Sequence, residues 1–236
     1  MFAQDILERN PLRLLNPDSQ NCILADGEFG AITSRAGVGK TAFLVQLALD
    51  ALLHDANVLH VSVENPVSKI RLFYKEVFMG IAKEYQITNS GELWESLLPK
   101  RLIMTFQKES FSAKTLEERI TNLMDQNIFV PEDIIFDDLP FDDDKYDMNT
   151  LVHDLKEMVM KYNLHAWFSI RTHRNQETLP NGLPKNLENL SSLFEMVLQL
   201  VPEDKLVGVQ AYRSGTELKL GSKILLDPAT MLITKQ

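Results

Sequence analysis

The fold of this chain is decided by one glycine-rich stretch, Ser34-Arg35-Ala36-Gly37-Val38-Gly39-Lys40-Thr41. Its last three residues match the end of the pattern Gly-x-x-x-x-Gly-Lys-Ser/Thr, a loop that joins a strand to a helix and binds phosphate. Ser34 stands where that pattern has its first glycine. The stretch therefore predicts a phosphate-binding loop (P-loop), whereas a glycine-containing bend with no ligand is the alternative.

The sequence on both sides of the loop fits this prediction. Residues 28–34 are typical of a short strand, and residues 40–54 space their apolar side chains as a helix with one buried face. The N–H groups of such a loop point toward the β- and γ-phosphates of a nucleotide. Lys40 would reach the same oxygens, and the Thr41 hydroxyl would bind Mg²⁺. The predicted nucleotide contacts are Ser34, Arg35, Ala36, Gly37, Val38, Gly39, Lys40, Thr41 and Ala42.

Three acidic residues at the ends of apolar segments are candidates for the remaining chemistry. Asp137 ends the strand-like run 133–137 and would hold Mg²⁺ together with Thr41. Asp138 follows directly and would either polarise water or only solvate the end of the strand. Glu64 follows another apolar run and is a candidate general base for the attacking water. Its alternative role is to interact with the dipole of the next helix.

Composition places the chain among ordinary globular proteins. It has 236 residues, 44% of them hydrophobic, a single cysteine and a formal charge of −9. No run of about 18 uncharged apolar residues is present, so we expect no membrane span and a cytoplasmic location. Eight acids and one lysine lie between Glu132 and Asp147, so most of the negative charge belongs to one segment.

Strand and helix patterns alternate through residue 170 and are followed by a β-rich tail. This order predicts an α/β fold with a mostly parallel central sheet flanked by helices. We expect residues 1–20 to form a helix and linker, and residues 21–236 a single domain. The pattern also predicts an irregular segment at 84–100, an N-cap at Asn65, a capping box starting at Thr115 and a final strand in 231–235.

Taken in order, these blocks resemble the RecA-like P-loop ATPases. The resemblance is nearest to the ATPase domain of DnaB-type replicative helicases, and next to KaiC-type ATPases. It rests on SRAGVGKTAF (34–43), VSVEN (61–65), IIFDDL (134–139), LSSLFEMVLQL (190–200), YRSG (212–215) and ILLDPAT (224–230).

The resemblance implies ATP hydrolysis with Mg²⁺ and assembly into a ring of identical subunits, with a hexamer as one candidate. In that family the glutamate that matches Glu64 activates water, and Arg213 matches an arginine that acts on the ATP of a neighbouring subunit. This chain has Ala211 where the helicases carry a lysine. The departure puts efficient hydrolysis in doubt.

The partner stays open among three hypotheses. An oligomeric motor or loader would contact single-stranded DNA through the loop after the fifth predicted strand, by Arg171, His173, Arg174 and Lys185. The loop at 140–147 is acidic and would repel phosphates, which favours a KaiC-type ATPase that regulates a protein partner. A nucleotide-binding scaffold that hydrolyses poorly is the third hypothesis.

Overall fold

The computed structural model describes residues 10–12, 24–141, 143, 146–173, 177–213, 216–218 and 223–234. The predicted N-terminal helix and linker at 1–20 lies outside the described residues, apart from residues 10–12. Leu12 in that short piece packs against the hydrophobic core.

The described residues form one mixed sheet whose strands run in the order β3-β2-β4-β5-β1-β6-β7-β8, with β9 also paired to β7. The strands are β1 (Phe29–Ser34), β2 (Val58–Ser62), β3 (Arg101–Thr105), β4 (Asp133–Asp137), β5 (His165–Arg171), β6 (Phe194–Glu203), β7 (Leu206–Arg213), β8 (Thr216–Glu217) and β9 (Ile224–Leu226). Strands β1 to β6 are parallel, and the last three are antiparallel. The predicted α/β fold with a β-rich end is confirmed.

Helices cover both faces of this sheet. They are α1 (Lys40–Leu53), α2 (Val67–Glu84), α3 (Ser90–Leu97), α4 (Ala113–Asp125) and α5 (Met148–Lys161). Because side chains alternate along a strand, Val58 faces the core shared with α1 and α2, whereas Leu59 faces the core shared with α4 and α5. In the described part of the chain, no helix is long and apolar enough to span a bilayer.

The segment at 84–100, predicted to be irregular, instead contains α3 and a 3-10 turn at Leu98–Lys100. Tertiary packing stabilises this short helix: Leu97 is buried, and the Trp94 ring lies 5.0 Å from the Phe78 ring of α2. Eight residues form too short a helix to be stable without such contacts. The prediction was wrong because it relied on local pattern.

Two predicted helix caps were also wrong. Helix α4 begins one turn earlier than a capping box at Thr115 would require, and Ser112 is its N-cap, accepting the Thr115 N–H at 3.1 Å. Helix α2 begins at Val67 with Pro66 as N-cap, so the Asn65 side chain is left for other contacts. The predicted last strand in 231–235 is reduced to a single bridge between Leu226 and Ile233 among the described residues.

Candidate functional site

The carboxyl ends of the parallel strands bring the predicted site residues to one edge of the sheet. Ser34, the last residue of β1, pairs in register with Arg171 of β5, and Ser62 of β2 pairs with Asp137 of β4. Ligands of parallel α/β sheets bind in the crevice outside this edge. The loops that follow β1, β2 and β4 therefore meet around a common space.

The P-loop has the backbone that an anion site needs. Gly37 and Gly39 have φ angles of 81° and 116°, in the left-handed region that glycine adopts without strain. Helix α1 starts at Lys40 with no side chain bonded to its N-terminus. Its first N–H groups therefore stay available for an anion, as do those of the loop before it.

Lys40 lies over the loop that it follows. Its ammonium nitrogen donates to the backbone oxygens of Ser34 and Arg35 at 3.2 and 3.3 Å. These carbonyl contacts hold the charge above the curve of the loop. Phosphate oxygens would take the place of the carbonyls there, because a charged acceptor makes the stronger hydrogen bond.

The metal position predicted from Thr41 and Asp137 has the geometry of a ligand pair. The Thr41 hydroxyl donates to Oδ2 of Asp137 at 3.0 Å, and the Asp137 side chain is fully buried. Oδ1 of Asp137 has no hydrogen-bond partner among the described residues. A buried carboxylate oxygen without a partner beside a hydroxyl fits Mg²⁺, which binds few protein ligands and keeps several waters. Consistently, no cluster of three or more metal-binding side chains occurs in the described ranges.

His60 is a residue of this site that the sequence analysis missed. It is fully buried on β2, its Nε2 lies 4.0 Å from Oδ2 of Asp137, and its Nδ1 lies 3.2 Å from the Tyr74 hydroxyl. Burial lowers the pKa of His60 to about 4, against the attraction of Asp137. The imidazole is therefore neutral at pH 7 and leaves the Asp137 charge uncompensated. A histidine inside an otherwise apolar strand was the available signal.

Asp138 and Glu64 face the same cleft but differ in their surroundings. Asp138 has a left-handed backbone, with a φ of 57°, and its N–H donates to the Ser169 hydroxyl at 2.9 Å. Burial first, and then the charges of Asp137 and Glu64, raise the pKa of the Asp138 carboxyl to about 6. Glu64 is exposed. The two acids are thus adjacent, one enclosed and the other open to solvent.

A cleft of about 490 Å³ runs along this edge, which is within the size range of small-molecule sites. Lys40, Glu64, Asp138, Ser169 and Arg171 are among its lining residues, together with Lys108 and Asp143. The last two form an ion pair at 2.6 Å, which joins the loop after β3 to the loop after β4. The sequence analysis did not anticipate this pair, because its partners come from separate loops.

Arg213 lies at the other edge of the sheet. It pairs in register with Met196 of β6, and Met196 pairs with Gly30 of β1, four residues before Ser34. At about 3.3 Å per residue, Arg213 is about 13 Å below the end of β1 along the strand direction. Its Nε lies 3.6 Å from Glu195 Oε1. Arg213 is therefore remote from the P-loop of its own chain.

The residues predicted to contact DNA occupy different surroundings. Arg171 lines the cleft, His173 is exposed two residues later, and Lys185 forms an ion pair with Glu177. Arg174 lies outside the described residues. Among the described members of this set, only Arg171 lines the cleft that also contains Lys40.

Comparison with known proteins supports the fold. No protein-family model matches the chain, and no curated protein matches it in sequence. A solved structure that matches is the ATPase domain of a DnaB-like helicase, with 15% identity and a TM-score of 0.63 over 90% of this chain and 86% of that one. Similarity at this level of identity is evidence of a shared fold. The chain therefore has the RecA-like α/β fold of a P-loop ATPase domain.

Proposed function

We propose that this protein is a Mg²⁺-dependent ATPase. The observation that carries the proposal is the convergence of four side chains from three loops at one edge of the sheet. Lys40 and Glu64 line one cleft, and Thr41, next to Lys40, is hydrogen-bonded to Asp137 beneath it. Phosphoryl transfer is catalysed mainly by positioning and by charge stabilisation, and this set supplies both.

Each residue has a distinct task in the proposed reaction. The N–H groups of the P-loop and Lys40 bind the phosphates, and Thr41 and Asp137 hold Mg²⁺. When bound, Mg²⁺ neutralises the charge that develops on the phosphates. Glu64, which is exposed in the cleft, accepts the proton of the attacking water. Adenine is the base expected from the family that the sequence resembles.

The proposal includes assembly of several subunits. Arg213 is too far from its own P-loop to contact the same nucleotide, so its role requires a second copy of the chain. A ring in which each nucleotide lies between two subunits, with a hexamer as the candidate, would bring Arg213 to a neighbour's cleft. Ala211 packs in the core, so the missing lysine at that position reflects burial of the strand face.

The partner of the ATPase defines two versions of the proposal. A motor or loader would act on single-stranded DNA through Arg171 and the connection that follows it. A KaiC-type regulator would act on a protein. Pairing of Lys185 with Glu177, together with Asp143 in the cleft wall, favours the second version, because both reduce the positive charge that a phosphate backbone needs. A poorly hydrolysing scaffold is the third candidate, motivated by Ala211.

Steady-state ATP hydrolysis with Mg²⁺, with and without single-stranded DNA at low salt, tests these alternatives. We expect turnover that requires Mg²⁺ and is lost in Lys40→Ala. Lys205→Ala, in the exposed turn between β6 and β7, is the matched control and should retain wild-type turnover. Normal turnover in Lys40→Ala would refute the assignment of the site. Strong stimulation by DNA would select the motor or loader, and turnover indifferent to DNA would select the regulator.

A further inference from the structure

A chain of side-chain hydrogen bonds joins the loop after β2 to the loop after β4. The Lys69 ammonium of α2 donates to Asn65 Oδ1 at 2.6 Å, and Asn65 Nδ2 donates to Oδ2 of Asp138. The chain continues where the Asp138 N–H donates to the buried hydroxyl of Ser169 on β5. These contacts connect four elements at the edge of the sheet that forms the cleft.

Asn65 is held in the backbone as well as in the side chain. Its N–H donates to the Ser62 hydroxyl at 3.2 Å, so the loop folds back onto the end of β2. Asp138 has a left-handed backbone, a conformation that a residue other than glycine keeps only where several contacts fix it. Both partners of the Asn65–Asp138 bond are therefore anchored to strands of the sheet.

Glu64 lies between the two anchors of this loop. Ser62 holds the loop at one end, and Asn65, the next residue after Glu64, holds it at the other end through Asp138. The carboxylate of Asp138 is occupied by the Asn65 amide, whereas Glu64 is exposed in the cleft. The contacts thus distinguish an acid that is bound in place from an acid that is open to a water molecule.

We propose that Asn65 and Asp138 are positioning residues: their hydrogen bond fixes the loop that carries Glu64, and Glu64 alone acts as the base. This inference rests on the proposed ATPase function and assigns the two neighbouring acids different tasks. It also explains why Asn65, which does not cap α2, has a side chain directed at the end of β4. Asp138 then needs an oxygen that accepts a hydrogen bond, and its negative charge is dispensable.

Kinetics of four variants separate positioning from catalysis. Asn65→Ala and Asp138→Ala should each lower kcat by about ten- to a hundredfold, because a small displacement of the base is costly, with KM for ATP nearly unchanged. The double variant should be no slower than the slower single variant, since both remove one bond. Asp138→Asn keeps the accepting oxygen and should recover most of the loss. Asn122→Ala, an exposed asparagine of α4, is the control.

The same bond can be tested without turnover by hydrogen–deuterium exchange of the peptide spanning residues 62–67. Asn65→Ala and Asp138→Ala should accelerate exchange at residues 63–66, while Asp138→Asn and Asn122→Ala leave it as in the wild type. Unchanged exchange in Asn65→Ala would overturn the proposal even if the wild type proved inactive. Accelerated exchange in an inactive wild-type background would instead support the clip and refute only the ATPase function.

Two kinetic results would also overturn the positioning role. If Asp138→Asn lost as much kcat as Asp138→Ala, the charge of Asp138 would be essential and Asp138 would act as a base. If Asn65→Ala kept wild-type kcat, the hydrogen bond would have no bearing on Glu64. Urea unfolding of each variant shows whether a loss of kcat comes from a folded protein.

Discussion

The Thr41 hydroxyl donates a 3.0 Å hydrogen bond to Oδ2 of Asp137, a residue 96 positions later in the chain. This contact joins the first turn of α1 to the end of β4, and it uses one oxygen of a carboxylate that is fully buried. The other oxygen has no partner among the described residues. The pair therefore links stability of the free protein to the proposed metal site.

Removal of the Thr41 hydroxyl should destabilise the free protein. Thr41→Ala takes a hydrogen bond from a buried carboxylate, at a cost of about 1–3 kcal/mol in the free energy of unfolding. Thr41→Ser keeps the hydroxyl and serves as the control. Urea unfolding without nucleotide measures the effect. Equal stability of Thr41→Ala and Thr41→Ser would contradict the importance of the bond.

Glu64→Gln should separate binding of ATP from its hydrolysis. The amide cannot accept a proton from water, so turnover should fall by about two to four orders of magnitude, while affinity for ATP stays near the wild-type value. A fluorescent ATP analogue reports binding, and phosphate release reports turnover. Glu76→Gln, on the exposed face of α2, should change neither. Retention of turnover in Glu64→Gln would remove Glu64 from the mechanism.

Mixing of two inactive variants tests whether Arg213 acts on a neighbouring subunit. Arg213→Ala has an intact P-loop, and Lys40→Ala has an intact arginine. If sites are shared, a mixture should regain part of the turnover, because some interfaces then combine both intact partners. A mixture no more active than its components would count against shared sites, as would a monomer in the presence of ATP.

His60 should make stability dependent on pH. Its pKa is about 4 in the folded protein, whereas an unfolded histidine titrates near 6.5, so the unfolded state binds the extra proton between these values. Stability is therefore lost as pH falls, by about 2 kcal/mol between pH 7 and pH 5.

Comparison of His60→Phe with the wild type isolates this contribution. The raised pKa values of Asp138 and His165 stabilise the folded state at low pH in both proteins, so they cancel in the difference. Urea unfolding at pH 7 and pH 5 should show His60→Phe gaining on the wild type at the lower pH. A difference that does not change with pH would show that His60 is not buried as a neutral group.

Two glycine substitutions should have opposite effects on stability. A Cβ at Gly30 of β1 would overlap the Trp167 ring, so Gly30→Ala should cost about 1–3 kcal/mol. A Cβ at Gly91 of α3 would meet no atom within 4 Å, and alanine favours helix, so Gly91→Ala should gain about 0.5–1 kcal/mol. Thermal unfolding measures both. Equal shifts in the same direction would contradict the packing at β1.

Local sequence patterns predicted the parts of the site that depend on neighbours in the chain. The spacing of Gly39, Lys40 and Thr41 predicted a loop between strand and helix, which is present. The apolar run before Asp137 predicted a buried strand, because strands of parallel sheets are apolar on both faces. Helix α3 was missed because its few apolar side chains are stabilised only by contact with α2.

The side-chain partners at the site belong to the tertiary structure. The pairing of Asn65 with Asp138 and the proximity of His60 to Asp137 join residues of separate strands and loops, and no periodicity relates their positions. The same holds for Arg213, whose distance from its own P-loop follows from the antiparallel return of β7. Such contacts depend on the order in which strands enter the sheet.

The sequence by itself determined the class of fold and the residues of the P-loop, because both depend on short-range spacing and on alternation of apolar side chains. Only the tertiary structure decided which acid is enclosed and which is open, since Asp138 and Glu64 both follow apolar strands and look alike in sequence. Their difference arises from the order of β2, β4 and β5 in the sheet, which places Asn65 and Ser169 around Asp138 and leaves Glu64 exposed in the cleft.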